Sequence, residues 1–272
     1  MPPVIGQHIN SIEILSKLPV VGGTAEVYRG YDHMMGYFYA VKRLHKEMFS
    51  NDLVKSLFIE EANQYLYLEH PNIVQLRDFV MRDDAYYLVM EFVEGKNLEQ
   101  YMNEVTGALM PEQAMPFMYD MLDAMSYAHS QEVIHRDIKP SNIMITQDAQ
   151  VKIIDFGIAV KKENLDTDIA MYTPMYASPE QVTVGAPIDH RSDIYSLGAT
   201  FFTMLTTKTP YPSGTPPEEL KEMVQKKPIR RLKDCIPWAT SSLQAVLDKA
   251  THKKPSQRYA SCADFKEALR TL

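Results

Sequence analysis

Apolar positions along this chain follow two different periods. In the first third they form short β-branched or aromatic runs. Phe38-Tyr39-Ala40-Val41-Lys42 reads as a strand ending in one lysine, and Tyr86-Tyr87-Leu88-Val89-Met90-Glu91-Phe92-Val93-Glu94-Gly95 as an apolar strand closed by a breaker. Between them Phe58, Ala62, Tyr65 and Leu66 recur at helical spacing, so residues 52–67 predict a helix that also carries Glu60 and Glu61. Farther along, Met115, Met118, Met121, Leu122 and Met125 recur every three or four residues and predict a buried helix over 111–129. Two short β-branched runs follow it. Ile143-Met144-Ile145 and Val151-Lys152-Ile153-Ile154 read as a hairpin with its turn near Gln147-Asp148. The longest uncharged apolar-leaning run, residues 194–207, is too short to span a bilayer.

Composition narrows the picture. With 272 residues, 45% hydrophobic and 23% charged, the chain is long enough for one unit in two parts, a smaller sheet-rich part and a larger helical one. The seventeen methionines read as core filler before they read as a partner site. A net charge of 28 − 35 = −7 argues against a nucleic-acid platform, so any basic face is local. Cys235 and Cys262 make neither a disulfide framework nor a metal site, and Met1-Pro2-Pro3 opens no signal peptide. The expectation is a protein of the reducing cytoplasm with no membrane segment.

Two motifs concentrate chemistry. Asp137, Lys139 and Asn142 fall within His135-Arg136-Asp137-Ile138-Lys139-Pro140-Ser141-Asn142, and Asp155-Phe156-Gly157 begins thirteen positions past Asn142. Moving a phosphoryl group requires metal and cation to neutralise its oxygens and an acceptor hydroxyl held in line. Asn142 and Asp155 offer hard oxygen ligands suited to Mg²⁺, and the predicted hairpin puts both at one end. Asp137, in the loop ahead of it, can accept or orient a hydroxyl proton, and Lys139 can reach the phosphate as a point charge. Singly, each is an ordinary turn residue or solvated charge; the ordered combination carries the reading. His135 reads as a packed, structural imidazole.

This pattern resembles the catalytic core of the eukaryotic-type (Hanks-type) Ser/Thr protein kinases. Gly22-Gly23-Thr24-Ala25-Glu26-Val27-Tyr28 and Ser178-Pro179-Glu180-Gln181 resemble the bacterial members in particular. The resemblance runs from about residue 10 to the C-terminus. It implies an α+β, bilobal protein kinase fold over 1–272. A small sheet-rich N-lobe with one key helix spans about 10–92, a hinge about 91–97, and a larger, mainly helical C-lobe about 98–272. The resemblance further implies catalytic roles for Asp137, Lys139 and Asn142, with ATP as donor and Mg²⁺, or Mn²⁺ in its stead, held by Asn142 and Asp155.

The implied ATP site is drawn from several stretches. Val20, Gly22, Gly23, Thr24, Ala25 and Val27 match the phosphate-covering loop with two departures, since Val20 and Ala25 stand where glycines are usual and bare backbone meets phosphate. On the residues alone, Gly22-Gly23 is equally a hairpin turn. Ala40 and Lys42 match the strand whose lysine touches the α- and β-phosphates. A lysine at the end of an apolar strand needs an anionic partner, and the resemblance supplies Glu61, with Glu60 second. Met90 matches the back of the pocket, Glu91 and Val93 the main-chain groups that meet adenine, and Asn97 the ribose edge. Met144 belongs to the same implied site.

Tyr172-Thr173-Pro174-Met175-Tyr176-Ala177-Ser178-Pro179-Glu180 resembles the end of a kinase activation segment, with Tyr172 for glycine and Ser178 for alanine. By resemblance Glu180 pairs with Arg258 and Asp193 braces the catalytic loop, both structural roles. Arg136 belongs to kinases in which that arginine meets a phosphate on this segment. Thr167, between Asp166 and Asp168, is the candidate phosphosite ahead of Tyr172 and Thr173, although its acidic neighbours favour order without modification. The implied activity is transfer of the γ-phosphoryl group of ATP to Ser or Thr of protein substrates, with autophosphorylation, in signalling. Two rivals remain. Val20 speaks for a nucleotide-binding pseudokinase, against which Lys42, Asp137, Asn142 and Asp155 stand together. A small-molecule kinase is opposed by the segment from Tyr172 to Glu180.

Overall fold

The computed structural model describes residues 5–19, 25–44, 59, 62, 63, 65–82, 85–156 and 174–272. They separate into two compact units, the first ending at Glu94 and the second beginning at Gly95. Among the described residues of the first unit, six antiparallel strands form one sheet: β1 (His8–Ile9), β2 (Ile12–Lys17), β3 (Ala25–Asp32), β4 (Tyr37–Leu44), β5 (Leu76–Arg82) and β6 (Ala85–Glu91), in the order β1-β2-β3-β4-β6-β5. The strand predicted at 38–42 lies inside β4, which is longer because β3 pairs with it over its whole length. Alternation along the strands divides the residues between two faces. Ile14, Tyr28, Val41, Tyr87 and Val89 pack together as an apolar core on one. Gly30 lets β2 and β3 close up, since a Cβ there would collide with the Ile12 side chain. Of the helix predicted over 52–67, residues 59, 62, 63, 65 and 66 are described and helical, with Ala62 and Tyr65 buried and Leu66 half-buried; Phe58, Glu60 and Glu61 lie outside the described residues.

The second unit is mainly helical. A small sheet of β7 (Gly95–Asn97), β8 (Ile143–Thr146) and β9 (Val151–Ile153) sits among α1 (Leu98–Tyr101), α2 (Pro111–Ser130), α3 (Arg191–Thr206), α4 (Pro217–Lys226), α5 (Ser241–Ala250) and α6 (Cys262–Arg270). The predicted hairpin is β8–β9, paired Ile143 to Ile153 and Ile145 to Val151, with all four side chains buried. Its turn is closed by Ala149 in the left-handed region (φ 57°), whose N–H donates to the Thr146 carbonyl. Helix α2 matches its predicted span but for one residue. Its buried stripe runs Ala114, Phe117, Met118, Met121, Leu122, Ala124, Met125 and Ala128, so Met115 is half-buried at the stripe's edge and Ala114 opens it instead. Every residue of α3 after Arg191 is buried. Two of its hydroxyls bond carbonyls one turn back, Thr206 to Phe202 (2.8 Å) and Thr203 to Ala199 (3.3 Å). At Gly198 the helix backbone packs against side chains at the end of α5: an added Cβ would lie 2.8 Å from Thr251 Cγ2 and 2.9 Å from Ala250 Cβ. No helix among the described residues is long and apolar enough to cross a membrane.

A buried ion pair lies beside α3. Arg258 bonds Glu180 through two parallel contacts, 2.6 and 2.8 Å, and gives its remaining hydrogens to the carbonyls of Arg191, His252 and Lys253, so all five guanidinium donors are used. Burial alone would push the Glu180 carboxyl up; Arg258, together with the Ser192 hydroxyl at 2.6 Å, outweighs it and holds the group below 4.5. Next to this pair, Lys253 Nζ donates to Tyr211 Oη (2.6 Å), the Val224 carbonyl (2.7 Å) and Tyr195 Oη (3.1 Å). Burial, and then the Arg258 charge, push its amine down to about 7, with Glu180 pulling the other way.

Removing one partner of a buried pair strands the other, so Arg258→Ala should lower unfolding stability by about 3–5 kcal/mol in urea titrations at pH 7. That loss should shrink as pH falls through the lowered Glu180 value, where the carboxyl of the wild type is also protonated. Lys253 works in the opposite direction. Between about 7 and 10.5 the unfolded chain holds a proton that the folded chain has released, so this group makes stability rise with pH, by up to about 1.4 kcal/mol per unit. Lys253→Met should flatten the profile between pH 7 and about 10; parallel wild-type and variant profiles would reject the assignment.

Candidate active site

The loop between α2 and β8 is held by one buried carboxylate. Asp193 on α3 accepts from the main-chain N–H of His135 (2.9 Å) and of Arg136 (2.8 Å), and from His129 Nε2 (2.8 Å) at the end of α2. Burial would push this carboxyl up, but the His129 bond and the His135 N–H outweigh it and hold it below the ordinary 3.8. His135, fully buried, is an internal peg. Its Nε2 donates to the Ile154 carbonyl (3.0 Å), and its Nδ1 accepts from the Asp137 N–H (3.2 Å), which fixes the Nε2–H tautomer. The ring also packs on Phe156, centroids 4.7 Å apart. The structural role read for His135 is the one its bonds describe.

The three predicted catalytic side chains converge. Lys139 Nζ bonds both carboxylate oxygens of Asp137, at 3.0 and 2.8 Å. Asn142 Nδ2 donates to the Asp137 carbonyl (2.8 Å) and to its Oδ2 (2.9 Å). Both amide hydrogens are thus committed, and Oδ1 is the atom left to meet a cation. A short 3-10 turn, Pro140–Asn142, delivers the amide, and the hairpin does the rest. Because Ile143 pairs with Ile153, Asn142 faces Ile154, whose N–H donates to the Asn142 carbonyl at 3.0 Å, and Asp155 follows at that same end. Asp155 takes φ 58°, a left-handed backbone rare for a non-glycine residue. One amide oxygen and one carboxylate, both hard donors, fit Mg²⁺, which retains most of its water.

The nucleotide-side predictions divide between the units. In the first, the pairings Val27–Lys42, Ala40–Met90 and Lys42–Leu88 put Val27, Ala40, Lys42 and Met90 on one face, opposite the apolar core. Glu91 donates its N–H to the Gln75 carbonyl (2.9 Å) and pairs with Tyr39 across β4 and β6. In the second, Asn97 pairs across β7–β8 with Met144 and caps α1, its Oδ1 accepting from the Gln100 N–H at 2.8 Å. Gly95 permits that sheet, because a Cβ there would collide with the Ile145 carbonyl. Val20, Gly22, Gly23, Thr24, Glu61 and Thr167 lie outside the described residues, as does the side chain of Ala25.

Three participants escaped the sequence reading. His129 bonds Asp193 and has Cys262 Sγ 3.7 Å from its other nitrogen. Lys253 was hidden in a run of surface-type residues. Gln181 reaches the Arg136 carbonyl, and its only signal was its place three residues after Ser178.

A model of the protein kinase domain matches residues 20–270. The chain is 33% identical over 98% of its length to the serine/threonine-protein kinase PrkC of Bacillus subtilis, and 32% identical over 97% to the serine/threonine-protein kinase PknB of Mycolicibacterium smegmatis. It spans 41% and 43% of those two proteins. The crystal structure of the Mycobacterium tuberculosis PknI kinase domain, 24% identical, superposes with a TM-score of 0.79 over 99% of each chain. With its fold and most of its length accounted for in this way, the chain belongs to the protein kinase domain family.

Proposed function

We propose that this chain transfers the γ-phosphoryl group of ATP to Ser and Thr hydroxyls of protein substrates. One observation carries the reading: the Asp137 carboxylate, held between Lys139 and the Asn142 amide, presents an oriented base beside a cation and a hard oxygen donor. Asp137 takes the proton of the incoming hydroxyl, and Lys139 is placed to follow the charge onto the phosphate as the carboxylate becomes protonated. Asn142 Oδ1 and Asp155 would hold Mg²⁺, which when bound would supply charge neutralisation at the phosphates. On the sheet face of the first unit, Lys42 meets the α- and β-phosphates with Glu61 as its partner, and Val27, Ala40 and Met90 line the base. The Glu91 carbonyl and the Val93 main chain meet the adenine edge, and Asn97 offers its amide nitrogen to the ribose. A pseudokinase reading is disfavoured because Lys42, Asp137, Asn142 and Asp155 are all present. The net charge of −7 supports protein over nucleic acid as the acceptor, and the free thiols Cys235 and Cys262 support a reducing, cytoplasmic setting.

Asp137→Asn should keep the fold and the ATP affinity while lowering labelled-phosphate transfer by about 10²–10⁴, as expected of a lost general base. Asp155→Asn should instead weaken the Mg²⁺-dependent part of ATP binding in calorimetry; wild-type metal dependence would remove Asp155 from the metal site. Control is a separate matter. Thr167 remains the proposed phosphosite, but Asp166 and Asp168 beside it favour a segment ordered without phosphate, so Thr167→Ala should retain the wild-type initial rate. A collapsed rate would establish a phosphorylation switch.

A further inference from the structure

Arg136, immediately before Asp137, has φ 66°. An L-residue pays an energetic penalty in this left-handed region and stays there only where its surroundings over-determine it. Here the residue is gripped at both ends by side chains distant in sequence. Its N–H donates to Asp193 Oδ1 at 2.8 Å, and its carbonyl accepts from Gln181 Nε2 at 2.6 Å. Gln181 is itself fixed, its Oε1 accepting from the N–H (3.0 Å) and the hydroxyl (3.1 Å) of the fully buried Ser178. The stretch is anchored once more at Glu180 by Arg258. An amide is required in the middle, because it alone among side chains of this length offers a donor to Arg136 and an acceptor to Ser178 together.

We propose that Gln181 is a positioning residue. It holds Arg136 in the left-handed conformation, so that the 136–137 peptide aims Asp137 at Lys139 and Asn142, and it ties that aim to the seating of the segment ending at Glu180. Asp193 fixes one end of the strained residue and Gln181 the other; with either end loose, the peptide can rotate toward an ordinary conformation and carry the carboxylate with it. The rate effect rests on the kinase reading above, whereas the effect on the loop does not.

The test compares Gln181→Leu and Gln181→Glu with wild type in the full chain. Glutamate can still accept from Ser178 but cannot donate to the Arg136 carbonyl when ionised, so it isolates the bridge. Both variants should lose about tenfold or more in kcat, since small misplacements of a reacting group are costly, with the KM for ATP and the melting temperature close to wild type. Hydrogen–deuterium exchange of amides 134–138 should quicken in both. Unchanged kcat and exchange in either variant would overturn the proposal. If the wild-type chain transfers no phosphate, the kinase reading fails on its own and exchange alone decides the role of Gln181. Should both variants fail to fold, Ser178→Ala, which removes one of the two bonds fixing the amide, should still quicken exchange of the same amides; no change there would overturn the proposal equally.

Discussion

The structure of the second unit depends on keeping one carboxylate charged where water cannot reach it. Asp193 sits within a helix buried along nearly its whole length, and an unpaired ion there would be prohibitive. Three donors make it tolerable, and two of them are main-chain N–H groups of the loop that carries Asp137. The compensation therefore runs both ways. The loop folds as it does because the carboxylate needs its hydrogens, and the carboxylate stays ionised because the loop supplies them.

The first turn of α3 gathers these requirements into three consecutive residues. The Arg191 carbonyl accepts from Arg258, the Ser192 hydroxyl donates to Glu180, and Asp193 holds the catalytic loop. Two buried charge systems, one bracing the end of the 174–180 stretch and one bracing Asp137, thus share a single helical turn. The pair at Glu180 is strong because the guanidinium is saturated, and a saturated guanidinium has no donor to spare for a passing anion. Lys253, with three acceptors around its Nζ, is held below its ordinary value first by burial and then by the Arg258 charge.

Much of this was legible in the sequence, and the reasons differ by element. The β8–β9 hairpin and α2 could be read because period two and period 3.6 are strong local signals, and Met115 was misread because a run of evenly spaced methionines hid Ala114 as the true start of the stripe. The cluster of Asp137, Lys139 and Asn142 was legible because all three lie within a few residues of each other. His129, Gln181 and Lys253 were not. Each acts on partners dozens of residues away, and a glutamine or lysine among polar neighbours looks the same in sequence whether it faces water or closes a buried network.

Gly198 gives the arrangement its scale. One and a half turns beyond Asp193, the bare backbone of α3 lies against the Ala250 Cβ and the Thr251 Cγ2 at the end of α5, so on its own side α3 has no side chain to trim. Where most helix pairs can drift over evolutionary time by trading bulk from either side, this pair can trade it only at Ala250 and Thr251. Any adjustment of the gap between the helix that bears Asp193 and the segment that leads to Lys253 and Arg258 therefore falls on one methyl of Thr251 or on Ala250.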